Sequence, residues 1–307
     1  MRAAGVRDFG LAVEPLDVPE PIGPSSDEVL IDVRAAGVAN WDDLIRTGAW
    51  AVGGQPPLAL GTEAAGVVAA IGVDVDGFAV GDRVLVHSSP LRYQGAWAER
   101  FLTPAAHVAA IPDGLTDDVA AALPIPALTA DQTLRGVLDL TGGLTLLVNG
   151  AGGVTGRVMV QLAAELGAIV YATAGEHSHE AVRAAGAAEV VDYRDPDWPA
   201  QIRALSGGHG VDFAVNAAPG GADAALAAVR DGGRLVSIAG GVPAKERSIE
   251  MSLVFVAPDG QRLASLAQLA AAGAIGVDIG MTYPLDAAAD ALAEVWQAAG
   301  RAVVVRP

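Results

Sequence analysis

The sequence predicts an α/β protein of two domains, a compact β-rich domain and a domain built on a doubly wound parallel sheet. Three observations predict it. The chain has 307 residues, beyond the size at which a single core usually stops growing. Up to residue 118 it is rich in short β-type runs broken by glycine and proline, the pattern of a compact β-domain. From residue 119 strands and helices alternate, which implies parallel strands joined by crossover helices.

In the first region the runs at 28–33, 65–71, 83–87 and 106–111 predict strands. In the second, strands are expected at 144–148, 169–173, 189–192, 211–216 and 234–239. Between them, Val158, Leu162 and Leu166 recur at helical spacing, and a second crossover helix at 222–230 ends before Asp231-Gly232-Gly233, a glycine stop. Beyond Gly240 follow an apolar run at 249–256, a helix at 260–272, a strand at 277–283, a helix at 286–299 and a terminal strand at 302–305. With no low-complexity linker, the two domains are expected to pack directly, and the cleft between them is the default ligand site.

Composition excludes several classes of function. Apolar residues make up 52% and charged residues 18%, which excludes a disordered chain. No apolar run reaches the 18 or so residues a membrane span needs. Nineteen basic residues against 36 acidic ones leave a net charge of −17, a surface that repels nucleic acid and anionic lipid. Neither is expected as a partner. The absence of cysteine removes disulfides, thiolate-bound zinc and cysteine nucleophiles, and Lys245 is the single lysine. The start, Met1-Arg2-Ala3-Ala4-Gly5, is not followed by an apolar stretch, so a cytoplasmic location is expected.

The chemistry is carried by one motif. The strand at 144–148 runs into Asn149-Gly150-Ala151-Gly152-Gly153-Val154-Thr155-Gly156 and then into a helix. A strand, a glycine-rich turn and a helix start, in that order, form the Rossmann dinucleotide fingerprint, in which the pyrophosphate sits on the helix N-terminus. Gly153 and Gly156 hold the last two glycine positions, and Ala151 takes the first. The backbone at Ala151, Gly152, Gly153 and Val154 is expected to bind the cofactor. At the end of the second strand the acid of an NAD site falls on Thr173. A small neutral residue there leaves room for a 2′-phosphate, so NADPH is expected ahead of NADH. Glu176 stands close by, and no Lys or Arg occurs before Arg183.

Several ordered motifs resemble the zinc-independent quinone oxidoreductases, the zeta-crystallin-like branch of the medium-chain dehydrogenase/reductase superfamily, over nearly the whole chain. They are Asn40-Trp41-Asp42-Asp43-Leu44-Ile45-Arg46-Thr47-Gly48, Gly61-Thr62-Glu63-Ala64-Ala65-Gly66-Val67-Val68, Gly77-Phe78-Ala79-Val80-Gly81-Asp82-Arg83-Val84, Gly95-Ala96-Trp97-Ala98-Glu99 and the segment from Ala121 to Ala130. The resemblance implies a GroES-like catalytic domain over 1–118 and 275–307 and a Rossmann domain over 119–274. Where the related zinc alcohol dehydrogenases place their three metal ligands, this chain has Ala39, Thr62 and Ile125. Those side chains cannot replace thiolate and imidazole on zinc. Without a Lewis acid, electrophilic acceptors such as quinones and α,β-unsaturated carbonyls become the expected substrates.

Residue roles follow from the same resemblance. Asn40 and Thr129 are expected beside the nicotinamide, Trp50 with Tyr93 in the substrate cleft, and Tyr193 at the adenosine end; His177, which follows the second strand, is read from its position as a group that holds a 2′-phosphate when protonated. Asn216 and Ala239 end the fourth and fifth sheet strands, where a doubly wound fold places its ligand. Phe255, Val256 and Arg301 match positions near the nicotinamide and phosphates. Asp43 and Arg46, three apart, suit a helix-face ion pair. No metal is expected. An apolar sheet edge at 249–256 would otherwise be exposed, which predicts a homodimer. An enoyl-thioester reductase and a non-catalytic cofactor-binding redox sensor are the alternative functions.

Overall fold

The computed structural model describes residues 1–307. The chain forms two compact units, Met1–Ile125 with Ala257–Pro307, and Pro126–Val256. These divisions fall at 125/126 and 256/257, against the expected 118/119 and 274/275. The helix at 260–271 accounts for the second difference. It is seated in the first unit, where a side chain on its Gly260 would overlap the Val108 carbonyl oxygen.

The first unit opens with β1 (Arg2–Val6), β2 (Glu14–Asp17), β3 (Glu28–Val38), α1 (Asn40–Arg46), β4 (Leu58–Ala59), β5 (Glu63–Ile71), β6 (Arg83–His87), β7 (Arg100–Pro104), β8 (Val108–Ala110) and α2 (Asp117–Ala122). The helix α3 (Pro124–Asp131) leads into the second unit. That unit holds a π-helical turn (Gln132–Val137), β9 (Thr145–Asn149), α4 (Val154–Glu165), β10 (Ile169–Ala174), α5 (His179–Ala184), β11 (Glu189–Asp192), α6 (Trp198–Leu205), β12 (Val211–Asn216), α7 (Ala222–Ala228), β13 (Val229–Ser237) and β14 (Glu250–Leu253). The chain then returns to the first unit through α8 (Gly260–Ala271), β15 (Ile279–Pro284), α9 (Ala288–Glu294) and β16 (Ala302–Arg306).

In the first unit a seven-stranded sheet runs β15-β16-β3-β5-β6-β8, with β7 also on β3, beside a three-stranded sheet β2-β1-β4. The long β3 pairs antiparallel with β5, β7 and β16. Its residues are almost continuously buried, as a strand covered on both faces requires. The core around Ile31, Leu58, Leu60 and Phe101 includes Trp97, which is fully buried and whose Nε1–H donates to the Gly37 carbonyl at 2.9 Å.

In the second unit the sheet order is β11-β10-β9-β12-β13-β14, and every neighbouring pair is parallel. The order reverses between β9 and β12, the switch point where a doubly wound fold binds its ligand. The expected strands are present with ends moved by a few residues. One expectation fails: Asp231-Gly232-Gly233 does not stop a helix. α7 ends at Ala228, and β13 starts at Val229 and runs through the glycines, with Gly232 at φ +68° where the register against β12 slips between Val211 and Phe213. Glycine here serves a strand irregularity, the other use of its freedom. The β14 strand is one of the two sheet edges, β11 being the other, and Leu253 and Phe255 are exposed on β14 and just beyond it. No helix is long and apolar enough to cross a membrane.

Candidate cofactor and active site

In the second unit the carboxyl end of β9 runs into the glycine turn. Gly150 has φ +92°, and a Cβ there would lie 3.0 Å from the Ala217 backbone, so both conformation and space call for glycine. Gly156 admits no side chain either, because its Cβ would overlap the Gly150 carbonyl oxygen. Gly153 is different. A Cβ on it meets nothing nearer than 3.6 Å, so its value is an uncluttered helix start. It is the N-cap of α4, with no side-chain cap and no acid in the first turn. The first-turn N–H groups therefore have no side-chain partner at the positive end of a 12-residue helix, the setting that suits an anion. Arg157, the one arginine in the buried set, lies one turn in, with a guanidinium nitrogen 3.5 Å from the Gly152 carbonyl.

The structure corrects the role of Thr173. The sequence places it against the ribose diol, yet it is fully buried. Its hydroxyl accepts the Gly150 N–H at 3.0 Å and donates to Asn149 Oδ1 at 2.6 Å. Asn216 is likewise buried, accepting from Asn149 Nδ2 at 2.8 Å and donating to Ser237 Oγ at 3.3 Å.

The segments after β10 and β11 bring in a residue that the sequence reading did not single out. β10 and β11 are parallel neighbours, with Ala174 opposite Asp192, so the segments that leave them meet. A Cβ built on Gly175 would touch the His177 ring at 3.0 Å and the Arg194 guanidinium at 3.4 Å. Arg194 also stands over the Tyr193 ring at 5.3 Å and pairs with Asp192 at 3.6 Å. A fixed cation therefore flanks Gly175, whereas linear distance along the chain had suggested none. The signal lay in the neighbouring strand, not in the segment after β10. His177 and Tyr193 are exposed there. Near β12 and β13, Asn216 and Ala239 line a pocket of about 280 Å³ with Gly220, Ala222 and Asp223. The turn at 150–153, Val154, Asn216 and Ala239 thus share the carboxyl side of the sheet, and Thr129 is buried on α3 of this unit. Phe255 and Val256 follow the edge strand β14, with Phe255 79% exposed. A dinucleotide fits the donor set: the uncapped helix start would hold its pyrophosphate, and Gly175 leaves its surroundings to His177 and Arg194.

In the first unit Asn40 is the first residue of α1 and is exposed. Asp43 and Arg46 on that helix form the expected ion pair at 2.6 Å, and Arg46 also donates to the carbonyls of Gly10 and Leu11. Trp50 is half-buried against the core. The Tyr93 hydroxyl is engaged by the chain itself, donating to the Pro19 carbonyl at 3.3 Å. Arg301 precedes β16, its Nε 3.4 Å from the Ala298 carbonyl, so it belongs to the first unit and not to the glycine-turn unit.

Two buried carboxylates lie around Ala39, Thr62 and Ile125. Asp42 accepts the Ala39 N–H at 2.8 Å, and Glu63 accepts the Ile125 N–H at 2.8 Å. Between them, the Thr62 carbonyl accepts the Ser88 N–H at 2.8 Å and faces His87 Nδ1 at 3.0 Å. A carbonyl only accepts, which assigns that proton to Nδ1. Burial pushes the Asp42 carboxyl up to about 7, against the lowering effect of the Ala39 and Gly61 N–H groups. Burial pushes Glu63 up to about 8; the Ile125 N–H opposes this, and the charge of Asp42 adds to the rise. Gly37 permits the arrangement, since a side chain there would overlap Glu63 Oε1.

Residues 25–113 match the alcohol dehydrogenase GroES-like domain, and residues 185–304 match the zinc-binding dehydrogenase family. A mycobacterial protein, Rv1454c, solved in complex with NADPH, is 30% identical with a TM-score of 0.89, each chain covered over 100% of its length. The chain belongs to the medium-chain dehydrogenase/reductase superfamily. A structure described as a mycobacterial quinone oxidoreductase is 30% identical with a TM-score of 0.85, again with 100% of both chains covered. One described as an NAD-dependent alcohol dehydrogenase is 28% identical with a TM-score of 0.88 over 100% of both. Among curated relatives, erythronolide synthase EryA2 of Saccharopolyspora erythraea is 41% identical over 214 residues, 68% of this chain. The chain spans only 6% of that relative's length.

Proposed function

We propose that this oxidoreductase is a zinc-independent reductase that uses NADPH to reduce a quinone or an α,β-unsaturated carbonyl. The observation that carries the proposal is the fate of the three zinc-ligand positions. Ala39 and Ile125 carry no ligating side-chain atom and their backbone N–H groups are held by Asp42 and Glu63, while Thr62 offers only a neutral hydroxyl. The site is thus built to fix backbone, and an alkoxide would find no Lewis acid among the residues that replace the ligand set. A conjugated acceptor does not need one, because hydride at the β-carbon yields a delocalised enolate or hydroquinone anion that water protonates. When bound, the nicotinamide supplies the hydride. The residues proposed to orient it are Asn40 and Thr129, with Trp50 as pocket wall; the glycine turn and α4 hold the pyrophosphate, and His177, Tyr193 and Arg194 surround the 2′-phosphate.

Arg194 and His177 beside Gly175 favour NADPH over NADH, since an NAD site would present an acid there. The NADPH complex of the 30%-identical mycobacterial protein supports this. The similarity to EryA2, a synthase, favours a second reading, an enoyl-thioester reductase of a biosynthetic assembly. NADPH oxidation with 1,4-benzoquinone, 9,10-phenanthrenequinone, simple enones and enoyl thioesters, each with and without chelator, separates the readings. Turnover of quinones and enones that survives chelation is expected. Turnover confined to enoyl thioesters would establish the second reading, and NADPH binding without turnover of any of them would make the protein a cofactor sensor. A cytoplasmic homodimer joined along β14 completes the proposal, because Leu253 and Phe255 leave an apolar edge exposed.

A further inference from the structure

The carboxyl ends of the four central strands of the second unit carry Thr173, Asn149, Asn216 and Ser237, one from each of β10, β9, β12 and β13. The register places all four in one row, Thr173 opposite Asn149, Asn149 opposite Asn216 and Asn216 opposite Ser237. All are buried, none more than 3% exposed. Thr173 donates to Asn149 at 2.6 Å, Asn149 to Asn216 at 2.8 Å and Asn216 to Ser237 at 3.3 Å. The direction is forced at Asn149: its amide also donates to the Gly221 carbonyl at 3.2 Å, so its nitrogen must face that side and its oxygen Thr173.

The row is tied at several points to the loops above it. Gly150 N–H donates to Thr173 Oγ1 at 3.0 Å, and Ala218 N–H donates to Asn216 Oδ1 at 3.3 Å. Gly221 presses on the row from the other side, since a Cβ there would overlap the Asn149 amide nitrogen and come within 2.9 Å of Asn216 Oδ1. Aligned donors in a water-poor interior polarise one another, and such a network acts as more than the sum of its pairs.

We infer that Thr173, Asn149, Asn216 and Ser237 form one hydrogen-bonded rail that sets the position of the glycine turn and of the 217–221 loop together, making these buried side chains positioning residues for the dinucleotide. The consequence for cofactor binding rests on the proposed function; the coupling between the two loops does not. Thr173→Val keeps the shape and removes the hydroxyl, whereas Thr173→Ser keeps the hydroxyl.

The test is amide hydrogen exchange of the full chain by NMR, together with NADPH affinity. Thr173→Val is expected to speed exchange roughly tenfold at Gly150, its direct partner, and also at Ala218, two residues along the row. Thr173→Ser leaves both near wild type. NADPH Kd rises about tenfold in the valine variant and stays within twofold in the serine variant. Faster exchange at Gly150 alone, at neither amide, or a valine-variant Kd within twofold of wild type overturns the inference. Should Thr173→Val not fold, Gly221→Ala displaces Asn149 from the loop side and must loosen Gly150; an unchanged Gly150 amide then refutes the rail. If wild type binds no NADPH, the proposed function fails while the exchange data still decide the coupling.

Discussion

Replacing Glu63 by Gln should remove much of the protein's loss of stability at mild alkaline pH. Glu63 ionises near 8 in the folded chain, against 4.5 for the free group, and Asp42 near 7 against 3.8. Both folded values are raised, so between the unfolded and folded values the native state binds more protons than the unfolded state. The contribution of each carboxyl is complete below its unfolded pKa and is lost as the pH rises through the folded one. Each unit of pH across that interval costs about 1.4 kcal/mol per group. From pH 5.5 to 8 the share of Glu63 is on the order of 3 kcal/mol, or roughly 6–12 °C in Tm for a domain of this size. Groups with the opposite sign act toward the acid side and are common to both proteins, so they cancel in the comparison. The lowered carboxyls of Glu99 and Asp212 withdraw their support only in acid, and His107, lowered by burial and by Arg92, matters below its ordinary value of 6.5. Glu63→Gln still accepts the Ile125 N–H, so folding survives. Thermal melts of both proteins from pH 5.5 to 9 are the assay: wild type should fall steeply and the variant much less. Superimposable profiles would refute a protonated Glu63 at neutral pH.

Gly156→Ala should destabilise the second unit by about 3 kcal/mol because its methyl group overlaps backbone, while Gly153→Ala, with its nearest neighbour at 3.6 Å, should cost only the roughly 0.5–1 kcal/mol by which alanine is a poorer N-cap than glycine; urea titration of both variants distinguishes the two glycines. Arg194→Gln should lower kcat/KM for NADPH roughly tenfold, about 1.4 kcal/mol, and leave NADH nearly unchanged, and equal losses for both cofactors would remove Arg194 from the phosphate site. Phe255→Asp should shift the oligomer toward monomer in light scattering at micromolar concentration, whereas a wild type that is already monomeric would sink the β14 dimer.

The sequence by itself determined the α/β class, the glycine turn between strand and helix and the Asp43–Arg46 pair. Each rests on neighbours within a few residues or on a strict local order, which backbone geometry converts directly into structure. Short helices such as α5 and α6, six and eight residues long, offered too few turns for a periodic signal. The glycines at 232–233 look alike as helix stop or strand irregularity, and only the pairing of β13 with β12 chose between them.

What tertiary structure alone decided is which side chains meet. Thr173 lies at the chain position of a ribose ligand, but the register beside β9 turns its hydroxyl inward to Asn149 and Gly150. Arg194 is 19 residues past Gly175, yet parallel pairing of β10 with β11 brings it alongside. Asp42 and Glu63 look like ordinary surface acids in a linear chain. Their raised pKa values exist only because the first unit folds over them and leaves backbone N–H groups as partners, and burial depth is a property of the assembled core, not of any local stretch of sequence.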